Sequence, residues 1–426
     1  MHVLIVGSGG REHALGWAVS RSDLANKITT TPGNAGTLAL GENIDLEPDE
    51  HNDIAEFCLE HKVDLVVVGP EAPLVDGIAD VLRNKGINVF GPGAAGALLE
   101  GSKVFAKQFC DRHGIPTASY EVFENANKAH RYIDSSGLET CVVKADGLAA
   151  GKGAIVCDDP IEAHAAIDTI LEERKFGDAG NQAIIEDRLT GFETTLLVIT
   201  AGGKYIKLPY SQDHKRAYDG DKGPNTGGMG VFAPTPKVTS DLDEQITREI
   251  VEPAIKGLLK EGIEYHGCLY FGLMITEDGP GLIEFNCRFG DPEAQAVLPL
   301  IEGDFLGALY AASKGDLGGI TLTTTGKKSL TVVLASEGYP GKYRKGINIS
   351  KDLESLVKNP DLLVFHAGTT QEDDMLLTSG GRVVAITSLG DSFQVCREEI
   401  YGALKALPLK GLFYRTDIGK ELVTVG

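Results

Sequence analysis

The sequence lacks the features of membrane-spanning and disulfide-stabilised proteins. Among its 426 residues, no uninterrupted apolar run approaches the roughly 18 residues that a membrane helix needs. The apolar stretch at its start is short and has no basic segment before it, so we expect no signal peptide and no membrane contact. Its seven cysteines are scattered, odd in number and without a C-x-x-C pair. This usage favours reduced thiols and a cytoplasmic location.

Basic residues are scarce. The chain has 40 lysines and arginines against 61 acidic residues, a formal net charge of −21. Proteins that bind nucleic acids are usually basic, so we expect no nucleic-acid partner. Any site for an anionic metabolite must therefore gather its few basic residues locally. The length of the chain predicts more than one domain.

The first hundred residues alternate between strand-like and helical patterns. Such alternation predicts a doubly wound parallel sheet, with ligands at the carboxyl ends of its strands. The apolar run Val3–Val6 leads there into Gly7-Ser8-Gly9-Gly10, which resembles a dinucleotide-binding turn. The third glycine of that fingerprint is missing, because position 12 is Glu12. A dinucleotide-dependent oxidoreductase is thus one alternative, but the turn is better suited to a different anion.

Two lysines in the stretch KADGLAAGKG suggest a phosphate-binding hairpin. A strand ends at Lys144, and a Gly/Ala loop then carries Lys152 between Gly151 and Gly153. Glycines allow backbone N–H groups to approach an anion closely, and the lysines add positive charge. The spacing differs from that of a P-loop, and a flexible hairpin with solvated lysines is the alternative.

The stretch LIEFNCRFGDPE carries the strongest single pattern. Alternate side chains of a strand share one face, so Glu284, Asn286 and Arg288 are predicted to point one way. Ile283, Phe285 and Cys287 are predicted to point into the core. Carboxylate and amide oxygens suit a hard cation such as Mg²⁺, and an arginine beside them suits a transferred phosphoryl group.

Two further segments give weaker signals. Glu186, Leu189 and Glu193 follow a strand end, where backbone groups can pair with a base and a carboxylate can accept hydrogen bonds from ribose hydroxyls. The segment from 211 to 230 has charges and glycines but no apolar periodicity. We interpret it as a long functional loop, either a lid that closes over an anion or a substrate cradle.

Taken together, the motifs make the whole chain resemble one protein family. They are GSGGREHAL, PGNAGT, VGPEAPLVDG, FGP, EGSKVFAK, KADGLAAGKG, SQDHKR, GPNTGGMG and EFNCRFGDPE, in this order over at least 280 residues. With them, the chain resembles the glycinamide ribonucleotide synthetases, also called phosphoribosylamine–glycine ligases. One departure is Phe192, which stands where this family would have the first acid of a Gly-Glu-Glu run. The last hundred residues match more loosely.

The resemblance implies an ATP-grasp fold of the α/β and α+β multidomain class. It implies an N-terminal doubly wound parallel-sheet domain over residues 1–103 and an ATP-grasp domain over 104–325. Within the latter, a small lid domain is expected at about 118–192. A C-terminal α/β domain over 326–426 completes the chain.

The resemblance also implies an ATP-dependent reaction of glycine with 5-phosphoribosylamine, through a glycyl phosphate, in purine biosynthesis. The implied cofactors are ATP and Mg²⁺ or Mn²⁺, the latter held by Glu284 and Asn286. Predicted catalytic residues are Arg288, Asp213, Asn225, Gly227 and Asp291. Predicted nucleotide-binding residues are Lys103, Lys144, Gly151, Lys152, Gly153, Glu186, Arg188, Leu189 and Glu193. Predicted substrate-binding residues are Gly9, Gly10, Arg11, Glu12, Asn34, Glu71, Lys215, Arg216 and Glu293.

A second alternative is another carboxylate–amine ligase of the same fold. The N-terminal turns and the SQDHKR segment favour the specific reaction over it. Small-molecule substrates are the expected partners, together with transient contacts to neighbouring enzymes of the purine pathway.

Overall fold

The N-terminal part of the chain forms a five-stranded parallel sheet with the strand order β3-β2-β1-β4-β5. The computed structural model describes residues 1–149 and 152–423. The first elements are β1 (His2–Gly7), α1 (Gly10–Ser20), β2 (Lys27–Pro32), β3 (Glu42–Asn43), α2 (His51–Glu60), β4 (Leu65–Val68), α3 (Glu71–Val75), α4 (Ile78–Asn84), β5 (Val89–Phe90) and α5 (Ala94–Gly101).

The central strands of this sheet are buried on both faces. Val3, Leu4, Ile5 and Val6 have no exposed surface, as expected for a strand covered by helices on either side. The sequence predicts one helix from Leu74 to Lys85, but the structure has two. Gly77 separates α3 from α4 because its φ of +90° lies in the left-handed region, which no helix interior allows.

The middle of the chain contributes two antiparallel sheets. The lid sheet has the order β6-β9-β7-β8, and the central sheet has the order β11-β10-β16-β17. Their elements are α6 (Lys103–His113), β6 (Tyr120–Phe123), α7 (Ala126–Ser136), β7 (Cys141–Ala145), β8 (Ala154–Cys157), α8 (Pro160–Ile167), β9 (Ala183–Asp187), β10 (Phe192–Ala201), β11 (Lys204–Lys207), β12 (Gln212–Asp213), β13 (Arg216–Tyr218), β14 (Lys222–Asn225), β15 (Gly230–Ala233), α9 (Ser240–Ile246), α10 (Glu252–Lys260), β16 (Gly267–Thr276) and β17 (Gly279–Asn286).

The C-terminal part forms a sheet with the order β12-β15-β20-β24-β21, and β25 pairs with β20. Its last elements are α11 (Glu293–Val297), β18 (Ile301–Glu302), α12 (Phe305–Ser313), β19 (Thr323–Thr324), β20 (Lys328–Ser336), α13 (Ser350–Val357), β21 (Leu362–His366), β22 (Thr369–Glu372), β23 (Met375–Thr378), β24 (Arg382–Gly390), α14 (Phe393–Lys405) and β25 (Leu412–Phe413). Two strands of this sheet, β12 and β15, come from the part of the chain before residue 325. Among the described residues, no helix is long and apolar enough to cross a membrane.

Short helical turns of other types complete the fold. The π-helical segments Asp168–Glu172 and Thr247–Val251 extend α8 and α9. The 3₁₀ turns are Thr37–Ala39, Gly177–Asn181, Leu298–Leu300 and Lys420–Leu422.

The segment from 211 to 230 is not the long loop that its composition predicts. It forms four short strands, and β13 pairs with β14 as a hairpin. Arg415 fastens this hairpin to the C-terminal part, since its Nη1 donates to the Arg216 carbonyl at 3.1 Å and to Asp221 at 2.7 Å. The Asp219 carboxylate in turn accepts from the Thr416 amide at 2.8 Å. These bonds anchor the segment to the C-terminal part, and its role as a lid or a substrate cradle stays a prediction.

Strand β17 departs from the predicted alternation at one residue. Opposite β16, Gly272 pairs with Glu284 and Leu273 pairs with Leu282, so Ile283 is an extra residue in a β-bulge. Its side chain is half-buried, whereas Leu282 and Phe285 both lie in the core at 2% exposure. The prediction that Ile283 points into the core is therefore wrong, and Leu282 takes that place.

Candidate active site

Three lysines from separate elements surround the carboxylate of Glu284. Lys103 begins α6, Lys144 lies near the end of β7, and Lys215 follows β12. Burial raises the pKa of Glu284, but the positive charges of Lys215, Lys144 and Lys103 outweigh that effect and hold it below its usual range. Three lysines thus lie near one carboxylate, and their ammonium groups suit an anionic ligand.

Lys144 is held in place from two sides. Its Nζ donates to Glu186 Oε2 at 2.9 Å and to the Ile283 carbonyl at 3.3 Å. Lys107 also contacts Glu186 Oε2, at 3.1 Å. The Glu186 side chain is thus part of a buried ion pair, while its second oxygen has no hydrogen-bond partner. A contact of this segment with a nucleotide would therefore use the backbone around Glu186 or that free oxygen.

Arg288 is fully engaged by the protein itself. Its Nε donates to Glu71 at 3.2 Å, its Nη2 pairs with Glu100 at 2.9 Å, and its Nη1 donates to the Phe289 carbonyl at 3.3 Å. Burial opposes ionisation of Glu71, but Arg288 and Arg11 lower its pKa to about 2. Arg288 therefore joins the N-terminal part to the strand that carries Glu284.

Backbone amides of the N-terminal glycine turn are hydrogen-bonded to side chains of the protein itself. The Gly9 amide donates to Glu12 at 2.5 Å, and the Arg11 Nε donates to the other oxygen of that carboxylate at 2.6 Å. The Arg11 amide points to Asp291 at 3.3 Å, and its Nη1 donates to the Phe289 carbonyl at 3.1 Å. Glu12 is 1% exposed and positions this turn, while its contact with a substrate stays a prediction.

Asn34 and Gly10 are also committed to internal packing. The Asn34 Nδ2 donates to the carbonyls of Ser8 at 2.8 Å and His366 at 3.0 Å, and its Oδ1 accepts from the Gly36 amide at 2.8 Å. A Cβ on Gly10 would collide with the Gln295 side chain. Both residues thus hold the turn, and their substrate contacts stay predictions.

A second group of charges lies beside Glu284. Lys215 Nζ contacts Glu193 at 3.1 Å, and Asp213 raises the pKa of Lys215 well above its usual value. Glu293 is buried and accepts from the Tyr270 hydroxyl at 3.0 Å. Burial, followed by the charge of Asp213, raises the pKa of Glu293 to about 7. This carboxyl group can therefore exchange a proton near neutral pH.

The turn after β14 contacts the C-terminal part. Arg382 Nη1 donates to the carbonyls of Gly227 and Asp291, both at 2.7 Å, and pairs with the Asp291 carboxylate at 3.2 Å. Asn225 pairs with Arg216 across the β13–β14 hairpin, and Arg216 Nη1 donates to the Gly223 carbonyl at 2.8 Å. Asp291 and Gly227 thus share one arginine, and Arg216 is tied within its own hairpin.

The remaining predicted nucleotide residues line the lid and its connection. Lys103 Nζ donates to the Gly147 carbonyl at 2.8 Å, and Lys152 is exposed. Gly153 is buried against Ala149, Arg188 is exposed and pairs with Asp158, and Leu189 is half-buried near Gly281. Gly151 lies outside the described residues. Their contacts with a nucleotide stay predictions.

Glu284 and Asn286 both offer oxygen atoms, the ligands that a hard cation prefers. The two residues alternate on one strand beyond the bulge. Three lysines nearby would bind phosphate oxygens. Within the described part of the chain, no group of three or more His, Cys, Asp or Glu side chains could hold a metal ion. The pair therefore suits Mg²⁺, which takes its other ligands from phosphates and water.

Several residues of the site are not among those that the sequence patterns predict. Lys107 stands four residues after Lys103 on α6, a spacing that places both on one helix face and could have identified it. Glu100 and Tyr270 lie in apolar segments, and Arg382 comes from the last hundred residues. No local pattern relates these three to the site, since they reach it only through tertiary packing.

Family models cover most of the chain. They match the phosphoribosylglycinamide synthetase N domain over residues 1–100, the ATP-grasp (A) domain over 101–294 and the C domain over 329–421. The predicted ATP-grasp fold with an N-terminal parallel sheet is confirmed.

Individual relatives agree with these models. A phosphoribosylamine–glycine ligase of Ralstonia nicotianae is 46% identical over 428 residues, covering 99% of this chain and all of the relative. The solved structure of a phosphoribosylamine–glycine ligase from Thermotoga maritima has a TM-score of 0.84 at 33% identity, covering 98% of this chain and 100% of its own. A trifunctional purine biosynthetic protein of Gallus gallus is 44% identical over 424 residues, and the chain spans only 42% of its length.

The Arg288 network predicts a large stability effect. Arg288→Met leaves the carboxylates of Glu71 and Glu100 without their cation, and breaking a buried ion pair from one side costs about 3–5 kcal/mol. We expect a loss of that size in the free energy of unfolding, measured by urea denaturation.

The matched control is Arg248→Met. Arg248 pairs with Glu249 at 2.7 Å but is 68% exposed, so its loss should cost at most about 1 kcal/mol. Equal effects of the two substitutions would contradict the proposed role of Arg288 as the tie between these elements.

Proposed function

The chain belongs to the phosphoribosylglycinamide synthetase family, and we propose that it joins glycine to 5-phosphoribosylamine in the cleft around Glu284. It is an ATP-dependent ligase of purine biosynthesis, as its full-length relatives are. The single observation that supports this use of the cleft is the convergence of Lys103, Lys144 and Lys215 on Glu284. The predicted oxidoreductase alternative is thereby set aside.

The chemistry explains why such a site is needed. A carboxylate is a poor electrophile, so glycine must first attack the γ-phosphorus of ATP, releasing ADP and forming glycyl phosphate. Both reactants are anions, and the lysines offset their repulsion. Glu284 and Asn286 would hold Mg²⁺, which would neutralise further charge, and we propose that Mn²⁺ can replace it.

The second step is attack of the phosphoribosylamine nitrogen on the acyl carbon, with loss of phosphate. The attacking amine must then give up a proton. We assign Glu293 as the acceptor, because it is a buried carboxyl group with a pKa raised to about 7. Tyr270 orients it through its hydroxyl group, and Thr195 in turn donates to Tyr270 at 3.0 Å. Asp213, beside Lys215, is assigned to the ammonium group of glycine.

We also propose domain limits, partners and a location for this protein. The N-terminal domain ends at residue 103 and the ATP-grasp domain at residue 325, with the lid at about 118–192. Contact with neighbouring purine-pathway enzymes is supported by relatives in animals that are trifunctional fusions. A cytoplasmic location and the lack of a nucleic-acid partner rest on composition alone.

An omission assay tests the reaction itself. We expect ADP release only when ATP, Mg²⁺, glycine and freshly made phosphoribosylamine are all present. Equal release with alanine in place of glycine, or with ammonia in place of phosphoribosylamine, would contradict the specific reaction. Such a result would leave another carboxylate–amine ligase of this fold.

The metal assignment predicts a change in Mg²⁺ dependence. Glu284→Ala or Asn286→Ala should lower turnover by about 10²-fold or more, the scale for removing one preorganised charge-stabilising group. Saturation should also require more Mg²⁺. Glu277→Ala, in the exposed turn before β17, is the control. Unchanged turnover of Glu284→Ala at ordinary Mg²⁺ would rule out this assignment.

The assignment of Glu293 predicts a pH profile. Only the ionised carboxylate accepts a proton, so turnover should rise as the pH increases through about 7, the value to which burial raises the pKa of this group. Glu293→Gln should lower kcat and remove that rise, measured from pH 5.5 to 8.5. The stability of the folded protein changes with pH in the opposite direction. Because the folded pKa is raised, ionisation destabilises the protein as the pH rises from about 4.5 past 7.

The stability difference separates catalysis from packing. Glu293→Gln cannot ionise, so its melting temperature should exceed that of the unsubstituted protein at pH 8 more than at pH 5. A profile that keeps its rise near pH 7 in the variant would show that another group accepts the proton.

A further inference from the structure

Two histidines face each other on the lid, away from the site described above. His130 lies on α7 and His164 on α8, with ring centroids 4.9 Å apart. Their Nδ1 atoms are 2.7 Å from each other. At the outer ends, His130 Nε2 lies 2.9 Å from Asp168 Oδ1, and His164 Nε2 lies 3.2 Å from Asp134 Oδ1.

The arrangement can place two nitrogen lone pairs opposite each other. An ionised carboxylate only accepts hydrogen bonds, so an Nε2 that bonds to its aspartate carries the hydrogen. In the neutral form of each ring, Nδ1 then has a lone pair and no hydrogen. Two such lone pairs 2.7 Å apart are the donor set of a positive ion that lies between them.

We propose that His130 and His164 form a two-nitrogen binding site for a divalent late-transition-metal ion of the Zn²⁺ type. Imidazole nitrogen is a preferred ligand of such ions. The two aspartates are placed as the outer carboxylates that commonly fix the tautomer of metal-bound histidines. The site is independent of the ligase reaction and of the Glu284 cleft.

The distance between the two Nδ1 atoms allows Zn²⁺ to bind with little movement of the rings. Zn–N bonds of about 2.0–2.1 Å at a tetrahedral angle place the two nitrogens about 3.3 Å apart. The rings must therefore separate by roughly 0.6 Å relative to the observed 2.7 Å. Both side chains are partly exposed, at 26% and 31%, so water can reach the ion. Protein supplies two ligands and water the others.

A bound metal ion takes the lone pairs of both Nδ1 atoms, and each Nε2–H stays with its aspartate. A ring nitrogen binds a metal ion only when it carries no proton, so binding should weaken as the pH falls.

Calorimetric titration of the full chain with ZnCl₂ tests the proposal. The experiment is run in excess Mg²⁺, so that the Glu284 cleft is saturated. We expect one Zn²⁺ per chain that is lost in His130→Gln and in His164→Gln. Asp168→Asn should bind about 10–100-fold more weakly.

The control is His61→Gln, which removes an exposed histidine of the N-terminal part and should bind Zn²⁺ as the unsubstituted chain does. Ligase turnover should be unchanged in the His130 and His164 variants, which shows that they are folded. Zn²⁺ binding that is equal in the unsubstituted chain and in both variants, or that is absent from all three, would overturn the proposal.

Discussion

The site depends on one buried guanidinium group. Arg288 stands after the last residue of β17, and it contacts Glu71 at the start of α3 and Glu100 near the end of α5. A desolvated charge is stable only when it is paired and hydrogen-bonded. The N-terminal helices are therefore held against the central sheet at one defined position. Glu284, four residues earlier in the chain, lies beside this contact and takes its position from it.

The cleft gathers several of the few basic residues of an acidic molecule. The chain as a whole carries −21, yet three lysines meet around Glu284, and Lys107 and Lys144 share Glu186. Bringing such lysines together is unfavourable until an anion arrives between them. The binding of a polyphosphate relieves their repulsion, so the cleft gains more from an anionic ligand than any solvated part of the surface does.

Local patterns in the sequence predict much of this arrangement, but not all of it. The alternation Glu284, Asn286, Arg288 gives the polar face correctly, because all three residues lie beyond the bulge. The bulge itself moves Ile283 out of the core, and nothing in an apolar run reveals where one extra residue enters a strand. Arg415 and Arg382 show the second limit. They fasten segments about 200 and 155 residues distant in the chain, and a single sequence contains no sign of such pairings.

The missing third glycine of the first turn has a physical consequence. The carboxylate of Glu12 fills the space above β1 and β4, where a Cβ on Gly7 would lie 2.7 Å from it and a Cβ on Gly69 would overlap it. These glycines are needed because a side chain, not a pyrophosphate, occupies that space. Glu12 also takes the Gly9 amide, which a bound phosphate would otherwise use. The turn has thus kept the form of a dinucleotide-binding unit while it serves to bind another part of its own chain, through Arg11, Phe289 and Asp291.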